Sequence, residues 1–237
     1  MVRTPSRAVT ITLSVLGISA CVWIFFLATW DRPVERRISN VALSRTGGWI
    51  AAGTTQGRVA VWNGSVGRAT WQVNFDRGPL NDLQFSPDER LLVIAGKDLG
   101  LYAVGQPEAL RFLRSDGRNY GTARFSRDRQ NLLVITGRGI IEVLDSKSGA
   151  TRLTICCSTV YGEVTFTPDE QSIANAGHRP RLWDSRSGQL IAQLTKDRKS
   201  YTFGPIAFDR PRGTILMGSQ DGRVYCWDLA SRQLIAM

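Results

Sequence analysis

Few side chains in this sequence have the types and spacing that chemistry requires. His178 is the only histidine among 237 residues, which excludes a metal centre built from several histidines, and no Gly-x-Ser-x-Gly nucleophile motif occurs. Asp88, Asp128 and Asp169 each stand two residues after a serine or threonine. An aspartate in such a phrase bonds its own backbone and forms a turn. We therefore expect turns rather than catalytic carboxylates, a structural role for His178, and no cofactor and no metal.

The cysteines and the short glycine motifs also lack the context of a functional site. Cys156 and Cys157 are neighbours on an expected strand, so they point to opposite faces and make a poor disulfide pair. Cys226 has no obvious mate, and no cysteine lies at metal-ligand spacing. Gly47-Gly48 and Gly137-Arg138-Gly139 lack the strand-to-helix context of a phosphate loop. We expect the cysteines to be small buried residues.

A strand-and-turn phrase recurs five times along the chain. Its clearest copy is anchored by Phe85, and the corresponding anchors, at spacings of 40 to 42 residues, are Leu43, Phe125, Phe166 and Phe208. A period in this range, with short strands, is typical of radial or solenoid architecture. Such proteins hold partners together more often than they catalyse reactions.

Each copy carries the pattern of short antiparallel strands. The expected first strands are Ile38–Ser44, Leu80–Ser86, Tyr120–Ser126, Tyr161–Thr167 and Phe203–Asp209. The expected fourth strands, in four of the copies, are Thr70–Phe75, Arg152–Cys156, Leu190–Leu194 and Leu234–Met237. Four such strands make one propeller blade. The sequence thus predicts an all-β propeller of five four-stranded blades over residues 38–237, with blades at about 38–76, 77–115, 116–157, 158–197 and 198–237.

Third strands end in a recurring dipeptide. It reads Trp183-Asp184 and Trp227-Asp228, with altered copies at Trp62-Asn63 and Leu144-Asp145. Together with Phe85-Ser-Pro-Asp88, these residues resemble the WD40-repeat β-propeller family. The family's Gly-His before the first strand is missing, so its histidine-based tetrad cannot form in the family's way. Quinoprotein-type propellers are the less favoured resemblance, since their Gly-x-x-x-Trp occurs once, in residues 67–71.

The number of repeats leaves the closure of the propeller open. Rings of the WD40 family usually have seven or eight blades, whereas this chain has five complete repeats. We favour a closed five-bladed ring over two alternatives, an open arc completed by another copy or a partner, and a shortened form of a longer gene product. An open arc would expose two apolar blade faces.

The N-terminal segment predicts a membrane anchor. Ala8–Trp30 contains 23 residues without a charge, between a short tail (1–7) and a charged linker (31–37). A helix of that length extends about 34 Å, enough to span a bilayer. We expect an uncleaved single-pass helix in a bacterial inner membrane. A short N-terminal tail usually stays cytoplasmic, so we expect the propeller on the non-cytoplasmic side. The alternative is a lipobox, Ile18-Ser-Ala-Cys21, in which Cys21 is lipidated.

One mouth of the central channel is the candidate binding face. Tyr120, Tyr161 and Phe203 open the first strands of three blades, where they either line that mouth or serve as packing residues, the favoured reading. Basic residues adjoin the same mouth, namely Arg77, Arg114, Arg118, Lys196, Arg198 and Lys199. Because linker 31–37 reaches at most about 25 Å, we expect this mouth to face the bilayer and contact anionic lipid.

The sequence favours a membrane-anchored, non-catalytic scaffold that binds membrane-associated protein partners. A quinoprotein-like or hydrolytic propeller enzyme is the first alternative, and a binder of anionic lipid or another polyanion is the second. The net charge of +10 supports binding of a polyanion. The arginines are scattered, however, which is equally typical of an ordinary solvated surface. Nucleic acid is not an expected partner.

We predict that residues 8–30 remain in the mature protein, because no usable cleavage site follows the apolar run. The intact mass of membrane-extracted protein checks this. A mature chain that begins at Cys21 and carries acyl mass would contradict the prediction.

Overall fold

A computed structural model describes residues 37–64, 68–75, 78–156, 162–194 and 203–236. They form twenty strands and no helix. Blade 1 comprises β1 (Ile38–Leu43), β2 (Trp49–Thr54), β3 (Arg58–Asn63) and β4 (Trp71–Asn74). Blade 2 comprises β5 (Asp82–Phe85), β6 (Leu91–Ala95), β7 (Leu99–Ala103) and β8 (Gln106–Arg114). Blade 3 comprises β9 (Tyr120–Phe125), β10 (Asn131–Thr136), β11 (Ile140–Asp145) and β12 (Thr151–Cys156). Blade 4 comprises β13 (Val164–Phe166), β14 (Ser172–Asn175), β15 (Arg181–Asp184) and β16 (Leu190–Gln193). Blade 5 comprises β17 (Phe203–Asp209), β18 (Thr214–Ser219), β19 (Val224–Asp228) and β20 (Leu234–Ala236).

Each blade is one antiparallel sheet whose strands lie in sequence order. The predicted all-β architecture of five four-stranded blades is confirmed. Sequence reasoning assigned no fourth strand to blade 2, where the structure has β8. The pairing of β8 with β7 shifts register at two points. Each shift changes which residues face inward, so the alternation that reveals a strand is lost.

The turn after the first strand follows the predicted chemistry. In blade 3, Ser126 Oγ donates to Asp128 Oδ1 at 2.6 Å, and Asn131 N donates back to Ser126 Oγ at 3.0 Å. The hydrogen bond from Ser126 holds the pKa of Asp128 below its usual range. Thr167 and Asp169 repeat the same contact in blade 4 at 2.6 Å. These aspartates are therefore turn residues.

Apolar clusters join neighbouring blades. The middle strands are buried on both faces, so they read as continuous apolar runs, as in Leu91–Ala95 and Asn131–Thr136. One cluster packs blade 1 residues such as Val59 on blade 2 residues such as Leu92, and three more clusters join blades 2 to 3, 3 to 4 and 4 to 5. The fifth cluster contains described residues of blade 1 alone.

The outward face of blade 5 is exposed. Val224 corresponds in register to Val59, Leu99 and Ile141 of blades 1 to 3, which are 1%, 0% and 0% exposed, but Val224 is 55% exposed. At the other end of the array, Leu43 is 48% exposed. No described apolar cluster joins blade 5 to blade 1. The described blades therefore form an open arc, and the expected closed ring is corrected, because the faces that would close it are not packed together.

The predicted anchor, Ala8–Trp30, lies outside the described residues, as do Cys21 and linker residues 31–36. Among the described residues, no helix is both long enough and apolar enough to cross a membrane.

We predict that Val224→Ala changes the free energy of unfolding by less than about 0.5 kcal/mol, because the side chain is already in solvent. Val59→Ala, the same truncation at the same blade position, should cost about 2 kcal/mol, because it leaves a cavity in a packed interface. Urea unfolding of both variants checks this. An equal loss in the two variants would show that the blade 5 face is covered.

Candidate functional site

The first strands line the central channel on the inner side of the arc, and side chains from one blade bond the backbone of the next. Asp82 Oδ2 accepts a hydrogen bond from Ala123 N at 3.0 Å. Gln84 Oε1 accepts one from Phe125 N at 2.9 Å. A first strand is the edge of its sheet, so these backbone groups have no strand partner on the channel side. The polar residues of first strands thus replace the missing strand.

The same bridging continues between blades 3, 4 and 5. Glu163 Oε2 accepts a hydrogen bond from Ile206 N at 2.9 Å, and Glu163 Oε1 lies 3.3 Å from Arg124 Nη2. Arg124 Nη1 also pairs with Asp82. Arg124 therefore links carboxylates of blades 2 and 4 across the channel wall.

Burial of Asp82 opposes its ionisation. Burial raises the pKa of Asp82, and the attraction of Arg124 and the hydrogen bond from Ala123 N only partly offset that effect. Arg124 stabilises the ionised carboxylate of Asp82. This attraction does not cancel the free-energy cost of removing the carboxylate from water, as is usual for buried ion pairs.

The predicted aromatic mouth is a set of packing residues in the described chain. Tyr120 and Phe203 are 0% and 3% exposed. The Tyr120 hydroxyl donates to Asp116 at 3.0 Å, and burial raises the pKa of Tyr120 above its ordinary value. Phe203 packs edge-on against Tyr225 and Trp227, with ring centroids 5.3 and 5.6 Å away. Neither residue is open to a partner, so the packing reading holds, whereas Tyr161 lies outside the described residues.

The predicted basic residues of that mouth that the structure describes, Arg118 and Arg114, are bonded within the fold. Arg118 contacts Asp116 at 3.1 Å and the buried carboxylate of Glu142 at 3.0 Å. Arg114 donates to Thr151 Oγ1. A cavity of about 400 Å³ lies beside Arg118 and Arg138. The remaining predicted residues, Arg77, Lys196, Arg198 and Lys199, lie outside the described residues.

The opposite mouth holds a larger cavity of about 650 Å³. It is lined by the ends of first strands and the turns that follow them in all five blades. The position two residues after each anchor carries, in blade order, Arg45, Pro87, Arg127, Pro168 and Arg210. The three arginines are exposed. Sequence reasoning missed this site, although aligning the five turns would have placed the arginines at one position.

Acidic side chains at this mouth are engaged with neighbouring turns. Glu89 accepts hydrogen bonds from the backbone N and the hydroxyl of Thr46, the latter at 2.8 Å. The backbone contact is the main reason that the pKa of Glu89 lies below its usual range, with a smaller contribution from Arg45. Glu170 accepts in the same way from Arg127 N. Both glutamates have positive φ, at 61° and 59°, which directs them toward the preceding blade.

The other candidates from the sequence lie apart from both mouths. His178 is an exposed residue of the turn between β14 and β15. Cys226 is a free thiol, half-buried on β19 of the end blade, which corrects the expectation of full burial. Within the described residues, no group of three or more His, Cys, Asp or Glu side chains is arranged to hold a metal.

Comparison with known proteins gives partial sequence matches. No family model matches the chain. The WD repeat-containing protein SL1-17 of Schistosoma mansoni is 22% identical over 158 residues, which are 65% of this chain and 52% of that protein. The ribosome biogenesis protein ERB1 of Ajellomyces capsulatus is 35% identical over 69 residues, 29% of this chain and 9% of that protein. The chain thus spans about half or less of the length of these relatives.

Comparison with solved structures is broader. The Cps50 (Swd1) β-propeller domain of Myceliophteria thermophila superposes with a TM-score of 0.74 at 15% identity, covering 87% of this chain and 74% of that one. The chain has the WD40-repeat β-propeller fold. In this propeller the aspartate of the dipeptide caps the turn after the third strand, since Asp184 accepts from Ser187 N at 2.7 Å. Trp183 Nε1 donates to Asn175 at 2.7 Å, a contact that fixes the tryptophan without a histidine.

We predict that Asp82→Asn changes stability at pH 7 by no more than about 1 kcal/mol, because the amide keeps an acceptor for Ala123 N and removes a charge whose burial is unfavourable. Asp82→Ala should cost about 1–3 kcal/mol, because Ala123 N then lacks an acceptor.

The pH dependence gives an independent check. A pKa that is raised on folding means that wild-type stability is lost as pH rises through the folded pKa of Asp82. Asp82→Asn should remove that part of the pH profile, measured by urea unfolding between about pH 4 and 8. Identical profiles for wild type and Asp82→Asn would contradict the assignment.

Proposed function

We propose that the chain is a non-catalytic protein-interaction scaffold that an N-terminal helix anchors to a membrane. The observation that carries this proposal is the cavity of about 650 Å³ at one channel mouth, to which all five blades contribute. Its size falls within the range of about 300–1,000 Å³ that is usual for binding pockets. Its lining combines exposed arginines with apolar first-strand residues and contains a single carboxylate, Glu170. That composition suits recognition of a partner better than it suits acid–base catalysis.

Anchoring is proposed from the sequence. The uncharged run of 23 residues ends at Trp30, and the first strand begins at Ile38. A linker of this length reaches at most about 25 Å. The mouth at which first strands begin is then held against the bilayer. The opposite mouth, where first strands end, carries Arg45, Arg127 and Arg210; this arginine mouth faces the aqueous phase. Partners on the aqueous side would meet the arginine mouth first.

Binding of an anionic membrane surface is the second candidate function. It draws on the net charge of +10. Of the described basic residues at the bilayer-facing mouth, Arg118 is already paired with two carboxylates. Its attraction for lipid is therefore reduced, which makes protein binding the favoured reading.

We predict that the full chain stays in the membrane fraction after alkaline carbonate washing and is released by detergent, because an uncharged, mostly apolar run of 23 residues partitions into the bilayer. A chain beginning at Asp31 should be found in the soluble fraction. Cell fractionation of the two forms checks this. Retention of the shortened form would contradict anchoring by residues 8–30.

Scaffolding is tested by quantitative affinity capture of the detergent-solubilised full chain. A scaffold should co-purify with a partner in constant ratio. Purification of the full chain alone, with a cofactor absorbance, would favour the propeller enzyme instead.

A further inference from the structure

We propose that the arginine mouth, formed by Arg45, Arg127 and Arg210 around the cavity of about 650 Å³, binds an acidic peptide segment of the partner protein. The inference rests on the proposed scaffold function and names the chemistry of its partner. It concerns the mouth at which the first strands end, not the mouth predicted from the sequence.

Turn formation does not explain these arginines. The turns of blades 1 and 5, which carry Arg45 and Arg210, lack a hydroxyl–aspartate pair. In blades 2, 3 and 4 the hydroxyl residue and the aspartate make the stabilising contacts, as in Ser86 Oγ to Asp88 Oδ1 at 2.6 Å. The residue between them is free to vary, and Pro87 there presets the backbone for a turn. Arginine has no such effect. Its occurrence at this position in three blades therefore needs another cause.

The charge of the arginines is not neutralised by ion pairs. Arg45 and Arg210 form no ion pair with any described residue, and the attraction of Arg45 makes only a minor contribution to the lowered pKa of Glu89. Arg127 Nη2 donates to the neutral carbonyl of Pro168 at 2.8 Å. The one carboxylate in the lining, Glu170, is engaged with a backbone N–H. The mouth therefore presents guanidinium groups that are held around a cavity and are open to an anionic ligand.

The lining selects among anionic ligands. Below the arginines lie the side chains of the first-strand anchors, including Phe125, Phe166 and Phe208. A ligand that fills the cavity must offer carboxylates at the rim and apolar groups inside. An acidic peptide with aromatic or aliphatic residues meets both needs, and guanidinium groups bind carboxylates through two parallel hydrogen bonds. A nucleic acid duplex can bring phosphates to the rim but is too wide to enter the cavity. An inorganic ion leaves the apolar part of the cavity empty.

The test uses the full-length protein in detergent and a fluorescein-labelled peptide in which Glu-Glu-Phe is repeated three times. Fluorescence anisotropy should show saturable binding that weakens as salt rises. The matched peptide with glutamine in place of glutamate should bind at least about tenfold more weakly, because neutral amides lose the charge-assisted bonds.

Two triple variants locate the site. Arg45→Gln, Arg127→Gln and Arg210→Gln together should weaken binding of the acidic peptide at least about tenfold. The control variant carries Arg68→Gln, Lys147→Gln and Arg186→Gln, exposed positions in the turns between third and fourth strands, and removes the same charge. It should bind like wild type. Circular dichroism melts establish that both variants are folded.

Several outcomes would overturn the inference. They are unchanged binding by the mouth variant, an equal loss in the control variant, and equal affinity for the two peptides. Competition by millimolar inorganic phosphate alone, or binding of anionic vesicles through the same arginines without peptide binding, would assign the mouth to phosphate groups instead. If membrane partners are still captured by the mouth variant, the scaffold function stands while this inference fails.

Discussion

The unpaired edge of each first strand is the constraint on which the arrangement of blades depends. A blade ends at the channel with backbone N–H groups that no strand satisfies, and burying them without partners would cost about 1–3 kcal/mol each. Asp82, Gln84 and Glu163 supply the acceptors from the preceding blade, at 2.9 to 3.0 Å. The first strands are therefore held at a fixed spacing by side chains. In these three contacts the acceptor belongs to one blade and the donor to the next. Asn40 and Asn81 bridge in the opposite sense, since their amides donate to Asn81 O and Tyr120 O of the following blade.

Bonding and packing that are confined to neighbouring blades make stability a sum of local terms. Each blade contacts the blade before it and the blade after it, as in other repeat proteins. The two end blades expose side chains whose counterparts in inner blades are buried, as the exposure of Leu43 (48%) and Val224 (55%) shows. Truncation of equivalent side chains should thus have unequal effects that depend on the place of a blade in the arc. Closure of the ring therefore depends on what packs against the two end faces, and the strands of a single blade do not determine it.

The sequence predicted what is local and missed what depends on neighbours. Strands and turns were predicted because alternation and the Ser-Pro-Asp phrase act within a few residues, as Ser86 and Asp88 show. Closure was predicted wrongly, since four strands in blade 5 say nothing about what covers Val224. The burial of Tyr120 and Phe203 depends on side chains brought from other strands, such as Trp227. The arginine mouth was missed because Arg45, Arg127 and Arg210 are more than 80 residues apart in pairs and meet only through the repeat.

Charge compensation differs between the two ends of the channel, and this difference separates structural from interacting arginines. Arg118, at the mouth where first strands begin, contacts two carboxylates, and so does Arg124, which lines the inner part of the larger cavity. Both guanidinium groups are therefore neutralised within the fold. At the other mouth the carboxylates of Glu89 and Glu170 bind backbone N–H groups of the preceding blade. Arg45 attracts Glu89 only weakly, and neither Arg45 nor Arg210 forms an ion pair with a described residue. Glu89 and Glu170 have positive φ, a strained backbone conformation for a residue other than glycine, and their hydrogen bonds to the preceding blade offset that strain. The glutamates thus tie the turns together, and by doing so they keep the guanidinium groups available.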